Sequence, residues 1–366
     1  MARMTQPTLH ILTSAVAHNV ATVRARTHAA VMAVVKADGY GHGAVTVATS
    51  AVAAGATQLG TTSLREAVTL REAGLREPIV VWLNPEGLDA ETAAAHRIDV
   101  AVGSVDELTE LLATPANNPV GVHLHVDTGM AREGCPRAEW EKFFALATSA
   151  QQQGRITVVA LMGHLPRADY GDPTHNADAV AQIRVAQALA AAAGLGTPPT
   201  HMAATSGALT DPSTHFDTVR VGAGLVGIDP SNMVALHGAS RLTAPIVHSA
   251  TLDAGTPVGY DGSYVTTHTT HVSVLPVGYA DGIPRSISPG AHVAVHNQRY
   301  PVIGRVSMDQ IVIDTGETSF PIGTKATVFG PSGGATPTIQ EWATWAGTIP
   351  HTIVTSIGPR VQRTVV

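Results

Sequence analysis

The stretch Ala30-Val-Met-Ala-Val-Val-Lys36-Ala-Asp-Gly-Tyr40-Gly-His-Gly43 runs directly into the alanine-rich segment Ala44–Ala54. A short apolar, β-branched run reads as a buried strand, the glycines as a turn, and the alanine-rich segment as a helix. This is one strand–turn–helix unit, and it ends its strand on a lysine. Lysine at the end of a buried strand is costly unless its charge is desolvated for a purpose. The chain holds three lysines (Lys36, Lys142, Lys325) against nineteen arginines. An otherwise arginine-based chain that keeps Lys36 here points to amine chemistry such as Schiff-base formation. The plainer alternative is a strand-end lysine that snorkels into solvent.

Working outward, the same unit recurs. Apolar runs fall at Ala30–Lys36, Thr57–Ser63, Ile79–Leu83, Val100–Ser104, Val120–Asp127, Ile156–His164, His201–Ser206 and Val219–Gly227. Helical segments lie between most of them, among them Leu64–Ala73, Glu86–Ala95, Trp140–Gln152 and Asp178–Ala193. Strand–helix alternation implies parallel strands with crossover helices. Eight such units predict an α/β fold, a (β/α)8 TIM-like barrel, over residues 10–236. An open α/β sheet is the alternative, but no G-x-G-x-x-G follows the first strand, which disfavours dinucleotide binding.

Beyond residue 236 the pattern changes to short alternating runs separated by Gly, Pro and Asn: His271–Val277, Ala291–His296, Pro301–Arg305, Gln310–Asp314 and Ala326–Phe329. These predict a mostly β C-terminal domain over residues 237–366, with one main helix at Ile339–Ala346 and with residues 1–9 as a candidate addition.

The 366 residues are 44% hydrophobic and 14% charged, with a formal charge of −6 and a single cysteine, Cys135. These values support full cores, exclude an intramolecular disulfide and a cysteine-based zinc site, and disfavour nucleic acid as a partner. Met1–Thr8 has no signal-like apolar segment and no run is long enough to span a membrane, so the expected location is cytoplasmic. His123 and His125 share one strand face, yet no third ligand accompanies them, so no metal is expected.

In a parallel barrel the active site lies at the carboxyl ends of the strands. The polar residues there are Lys36, His125, Asp127, His164, Ser206, and Arg220 with Gly222.

These residues sit in motifs that resemble one family. Val-Val-Lys36-Ala-Asp-Gly-Tyr40, Val-Asp127-Thr-Gly-Met-Ala-Arg132, His164, Ser206, Arg220-Val-Gly-Ala, Gly-Tyr260-Asp-Gly-Ser-Tyr, Pro-Val-Gly-Tyr279-Ala-Asp-Gly and Ser-Met308-Asp309-Gln follow, in order and spacing, the alanine racemases. The resemblance covers nearly the whole chain. It implies an isomerase that uses pyridoxal 5′-phosphate (PLP) to interconvert L- and D-alanine. It also implies a homodimer whose active sites combine one barrel with the neighbour's β domain.

By that resemblance Lys36 carries PLP. Tyr40, Ser206 and the backbone amides of Gly222 and Ala223 serve its phosphate, His164 belongs to the cofactor network, and Arg220 faces the pyridine nitrogen. A guanidinium there disfavours protonation of that nitrogen and weakens the electron sink, which suits racemisation. Lys36 and Tyr260 of the partner subunit are the two bases on opposite faces of the substrate Cα. Arg132 and Met308 hold the substrate carboxylate. Asp169, Tyr279, Arg285, Arg305 and Asp309 line the entrance. For Ser206, Tyr260, His164 and the entrance residues, turn, strand-end or ion-pair roles are the alternatives.

Two departures stand out. His125 occupies the position where many relatives have a carbamylated, anionic lysine, so the expectation is a substitute beside Arg132 and His125: a bound anion, chloride first, or another carboxylate. The family's C-terminal tyrosine is also missing: no tyrosine follows Tyr300, and the comparable stretch holds Thr355. A smaller side chain there would admit a substrate such as serine. Competing readings are a decarboxylase of the same architecture, expected to pair the ring nitrogen with an acid, and a non-catalytic PLP-binding barrel, which leaves the β domain unexplained.

Overall fold

The computed structural model describes residues 6–114 and 116–366. It divides into two compact units. One is Val16–Leu236; the other is His237–Val366 with the chain up to Ala15.

The first strand, β1 (Thr8–Ile11), belongs by its hydrogen bonds to the second unit. It pairs antiparallel with Ser240–Pro245 and parallel with Gln362–Val365. Residues 1–5 of the expected amino-terminal addition lie outside the described residues.

The first unit is a closed parallel barrel of eight strands, β2 to β9: Ala30–Val34, Gln58–Thr61, Ile79–Val81, Ile98–Val102, Val120–His125, Ile156–Met162, Thr200–His201 and Thr218–Val221. The β2–β9 pairing closes it. Each strand ends two to six residues before the apolar run that announced it, because the polar residues at the run's end turn out of the ladder. Helices such as Ala44–Ala53 and Trp140–Gln152 coat the barrel, burying Val47, Ala48 and Ala51 in the first and Phe143, Phe144 and Ala147 in the second.

Alternation along the strands gives the barrel interior two different walls. Met32, Val34, Val80, Trp82, Ala101 and Met162 form one apolar cluster. The cross-strand partners of Ala101 and Met162 are His123, His125 and His201, so these histidines point inward too. Arg220, two residues after Thr218, the partner of His201, joins them.

The second unit is a nine-stranded sheet among the described residues. In chain order its remaining strands are β10 (Ser240–Pro245), β11 (His248–Leu252), β14 (Thr270–Leu275), β15 (His292–Val295), β16 (Gln298–Ile303), β17 (Ile311–Gly316), β18 (Lys325–Phe329) and β19 (Gln362–Val365). A hairpin of β12 (Pro257–Val258) and β13 (Tyr264–Val265) stands apart. The spatial order is β11-β14-β17-β16-β15-β18-β10-β1-β19. Strands β10 to β13 and β19 were not foreseen. Pro245 closes β10 at a sheet position where alternation alone gives no strand signal.

Gly60 faces the apolar wall, where a Cβ would lie 2.7 Å from the Trp82 ring and 3.1 Å from the Met32 sulfur. Gly60→Ala therefore overpacks the interior, and we expect a loss of about 1–3 kcal/mol, read as a lower denaturant midpoint for the barrel.

Candidate active site

The turn after β2 is left-handed. Ala37, Asp38, Gly39, Tyr40 and Gly41 have φ of 52°, 53°, 61°, 55° and 78°. For Ala37, Asp38 and Tyr40 this costs about 1–2 kcal/mol each, so the surroundings must enforce it. Within the turn Gly39 N–H donates to Val35 O (2.8 Å), Gly41 N–H to Ala37 O (3.0 Å) and Gly43 N–H to Asp38 O (2.8 Å). From outside, Glu66 accepts from the Ala37 N–H at 2.7 Å and from the Thr62 N–H at 3.0 Å. Asp38 in turn accepts from the Ala44 N–H that opens the next helix, at 2.9 Å. Glu66 was not singled out beforehand. Its signal was the pattern Ser63-x-x-Glu66 ahead of an apolar helix face, which marks a helix start.

Lys36, fixed at the head of this turn, has its pKa lowered by burial first and then by Arg132. Tyr40 packs its hydroxyl against Gly222, where a Cβ would come within 2.2 Å of the oxygen. Burial pushes the Tyr40 phenol up to about 12, so it stays protonated and can donate.

Arg220 is 5% exposed. Nη1 donates to His201 Nδ1 (2.7 Å) and His201 O (3.0 Å), and Nη2 to Gly163 O (2.8 Å) and Met202 O (3.1 Å). A guanidinium has five N–H donors; these four contacts use every Nη proton and leave Nε–H. Burial lowers the pKa of Arg220 to about 10, and it remains a cation at neutral pH.

His125 is pushed down to about 3 by burial and then by Arg220 and Arg132. His164 is held well below its ordinary value by the same causes. Both rings are therefore neutral and add no positive charge to that of the arginines.

The loop after β6 is folded by Asp127, whose Oδ1 accepts from the N–H groups of Gly129 (2.9 Å), Met130 (3.0 Å) and Ala131 (3.1 Å). This carboxylate shapes the loop that carries Arg132. Glu133 lies 3.7 Å from Arg132 Nη2. His125, Asp127, Arg132, Glu133 and His164 line a pocket of about 10 Å³.

Ser206, at the start of a short helix after β8, donates to Asp169 Oδ1 at 2.6 Å. The entrance candidate Asp169 is thus the partner of a phosphate candidate in the barrel. Thr205, not anticipated, accepts from the Gly224 N–H at 3.1 Å and holds the glycine-rich turn that contains Gly222 and Ala223.

The other candidates gather in the second unit. Tyr260 is 63% exposed on a short turn and shares a cavity of about 490 Å³ with Gly259, Met308 and Asp309. Arg305 pairs with Asp261. Arg285 lies over the Tyr279 ring, 5.5 Å from its centroid. Two motifs interlock here: Tyr279 N–H donates to Ser307 O and Ala280 N–H to Met308 O, each at 3.0 Å. A Cβ on Gly278 would lie 2.3 Å from Ser307 O, so only glycine allows the crossing. Arg360, unmarked by any motif, binds Asp309 at 2.7 Å and the buried Asp281 at 3.1 Å. Thr355 donates to His351 O in its own helix at 2.8 Å.

The family descriptions "Alanine racemase, N-terminal domain" and "Alanine racemase, C-terminal domain" match residues 11–230 and 239–365. The chain belongs to the alanine racemase family. It is 38% identical to the alanine racemase of Thermobifida fusca over 95% of each chain. The solved alanine racemase of Streptomyces coelicolor A3(2) superposes with a TM-score of 0.96 at 37% identity, covering 100% of this chain and 99% of that one. An alanine racemase from Bartonella henselae, solved with covalently bound pyridoxal phosphate, superposes at 0.87 with 25% identity, covering 99% of each chain. The alanine racemase architecture, a TIM-like barrel with a mostly β domain, is the one described above, and the chain is an isomerase of the racemase class.

Asp127→Ala removes a charged acceptor from three amides. We expect hydrogen exchange at Gly129, Met130 and Ala131 to quicken about tenfold or more, measured by mass spectrometry.

Proposed function

We propose that this chain interconverts L- and D-alanine with PLP, as a cytoplasmic homodimer whose barrel, residues 10–236, is the cofactor domain. The observation that carries the reading is Lys36, a half-buried amine at the carboxyl end of a barrel, held toward its neutral form by desolvation first and then by Arg132. A neutral amine is what covalent attachment of an aldehyde cofactor requires. No helix among the described residues is long and apolar enough to cross a membrane.

The residues present fit PLP. Lys36 would hold it covalently. The protonated Tyr40 and the close-packed Gly222–Ala223 turn offer donors for a phosphate. Ser206 joins them once its single proton is released by Asp169, since a hydroxyl donates only once. Arg220 has Nε–H left for the ring nitrogen. The buried His164 Nδ1, for which no described residue is a hydrogen-bond partner, offers a further polar contact. Bound PLP supplies the electron sink that stabilises negative charge at Cα. An acid at the ring nitrogen, expected of a decarboxylase, is replaced here by Arg220.

The chain's own residues move the protons. Lys36 Nζ takes or returns the Cα proton on one face, and Tyr260 Oη of the partner subunit does so on the other. Arg132, together with the backbone at Met308, holds the substrate carboxylate. Tyr279, Arg285, Arg305 and Asp309, with Asp169, bound the entrance. Glu133 supplies the negative charge beside Arg132; a chloride held by Arg132 in the pocket that His125 and Glu133 also line is the other expectation.

Incubating PLP-loaded protein with L-alanine and, separately, L-serine, followed by chiral chromatography, tests the reading. D-alanine should approach equality with L-alanine. D-serine at a comparable rate would reflect the wider entrance left by Thr355, and no D-product from either would overturn the proposal. Tyr260→Phe should slow racemisation about 10²–10⁴-fold while one enantiomer alone still exchanges its Cα hydrogen with D2O. Full-rate racemisation by this variant would remove the two-base mechanism.

The lowered pKa of Lys36 has a signed consequence. Arg132 disfavours the ammonium form, so Arg132→Leu should raise the Lys36 pKa and move the acid limb of its reactivity to higher pH. Competitive acylation of the cofactor-free protein across pH, with Lys36 followed by mass spectrometry, reads this shift directly.

A further inference from the structure

The interior of the barrel holds a line of polar groups that runs away from the active site. Arg220 Nη1 meets His201 Nδ1 at 2.7 Å, and His201 Nε2 meets His123 Nδ1 at 2.8 Å. His123 Nε2 lies 3.6 Å from Asp99 Oδ2. His123 and His201 are 4% and 2% exposed, and Asp99 reaches solvent with a side chain 24% exposed.

The direction of this line follows from donor chemistry. A guanidinium can only donate, so His201 Nδ1 must accept. Burial, Arg220 and His123 hold the His201 pKa well below its ordinary value, so the ring is neutral and its one proton sits on Nε2. That N–H donates to His123 Nδ1, which places the proton of a neutral His123 on Nε2. Among the described residues this buried nitrogen has no hydrogen-bond partner. It faces Asp99 Oδ2 at 3.6 Å, and both residues line a cavity of about 130 Å³ with Gln58, Met32 and Val80.

The strands make room for the carboxylate. Ala101 pairs with His123 and Val100 with Val122, which sets Asp99 beside Gly121. A Cβ on Gly121 would lie 1.9 Å from Asp99 Oδ1.

We propose that Asp99 is a positioning residue for Arg220. Its carboxylate, 3.6 Å from His123 Nε2, stabilises the Nε2–H tautomer that Arg220 selects through His201, and so helps keep every Nη–H bond of the guanidinium made. The kinetic consequence rests on Arg220 facing the cofactor ring, as proposed above; the tautomers do not.

The test uses the PLP-loaded protein, deuterated and labelled with 15N-histidine, with imidazole tautomers read from long-range 1H–15N correlations. His123 and His201 are assigned by His123→Gln and His201→Gln. Wild type should show both rings as neutral Nε2–H tautomers. Asp99→Asn, whose carbonyl still accepts, should keep them. Asp99→Leu should convert His123 to a mixture or to Nδ1–H, and kcat should fall about tenfold, the scale of one weakened hydrogen bond, with KM for L-alanine unchanged. If Asp99→Leu does not fold, Gly121→Ala displaces the same carboxylate and should give the same conversion. Unchanged tautomers when the carboxylate is removed or displaced would overturn the proposal. Altered tautomers in a protein that racemises nothing would instead overturn the functional reading and leave this one standing.

Discussion

The site is organised around a buried cation. A guanidinium inside a protein is tolerated only if its donors are met, because the cost of an unpaired buried charge exceeds that of almost any other local defect. Arg220 meets this condition with three backbone carbonyls and one imidazole, all from the sixth and seventh barrel strands, β7 and β8, and the residues that follow them. Those strand ends cannot shift without breaking charge-assisted bonds. Burial first, and this cation next, hold the pKa values of His125 and His164 down; for Lys36 burial and Arg132 come first, and Arg220 adds to them.

Strain and charge act together on Lys36. The left-handed turn behind it is a conformation that an isolated peptide of this composition would leave at once, and Glu66 and Asp38 hold it by carboxylate-to-amide bonds. The backbone that presents the amine is thus fixed by two acidic side chains outside the apolar core.

Much of the fold was legible because its signals are periodic. Eight apolar runs separated by alanine-rich helices allow few architectures, and the rule that barrels work at the carboxyl ends of their strands then selected Lys36, His164 and Arg220 before any family was considered. Asp127 was selected by the same rule, yet its carboxylate is spent on three loop amides. Position alone cannot tell a residue that faces the site from one that builds it. The interior line from Asp99 to Arg220 was illegible for a different reason: its members come from four strands and meet only once the barrel's register is known. Arg360 stayed hidden because a lone arginine near a chain end carries no pattern; its two aspartates become neighbours only after the interlocked turns around Gly278 are formed.

The pairing of β1 with both β10 and β19 has a consequence for how the chain acquires its structure. The barrel is an insertion within the β unit. During synthesis the barrel's segments all emerge before any other strand of the sheet to which β1 belongs. Residues Thr8–Ile11 therefore wait for β10 until the barrel's segments have been made, and for β19 until the last strand is made. Contacts so distant in sequence form late, because the entropy of closing the intervening loop is spent before they can repay it. A barrel already folded shortens that loop, and maturation of the sheet becomes conditional on the domain nested inside it.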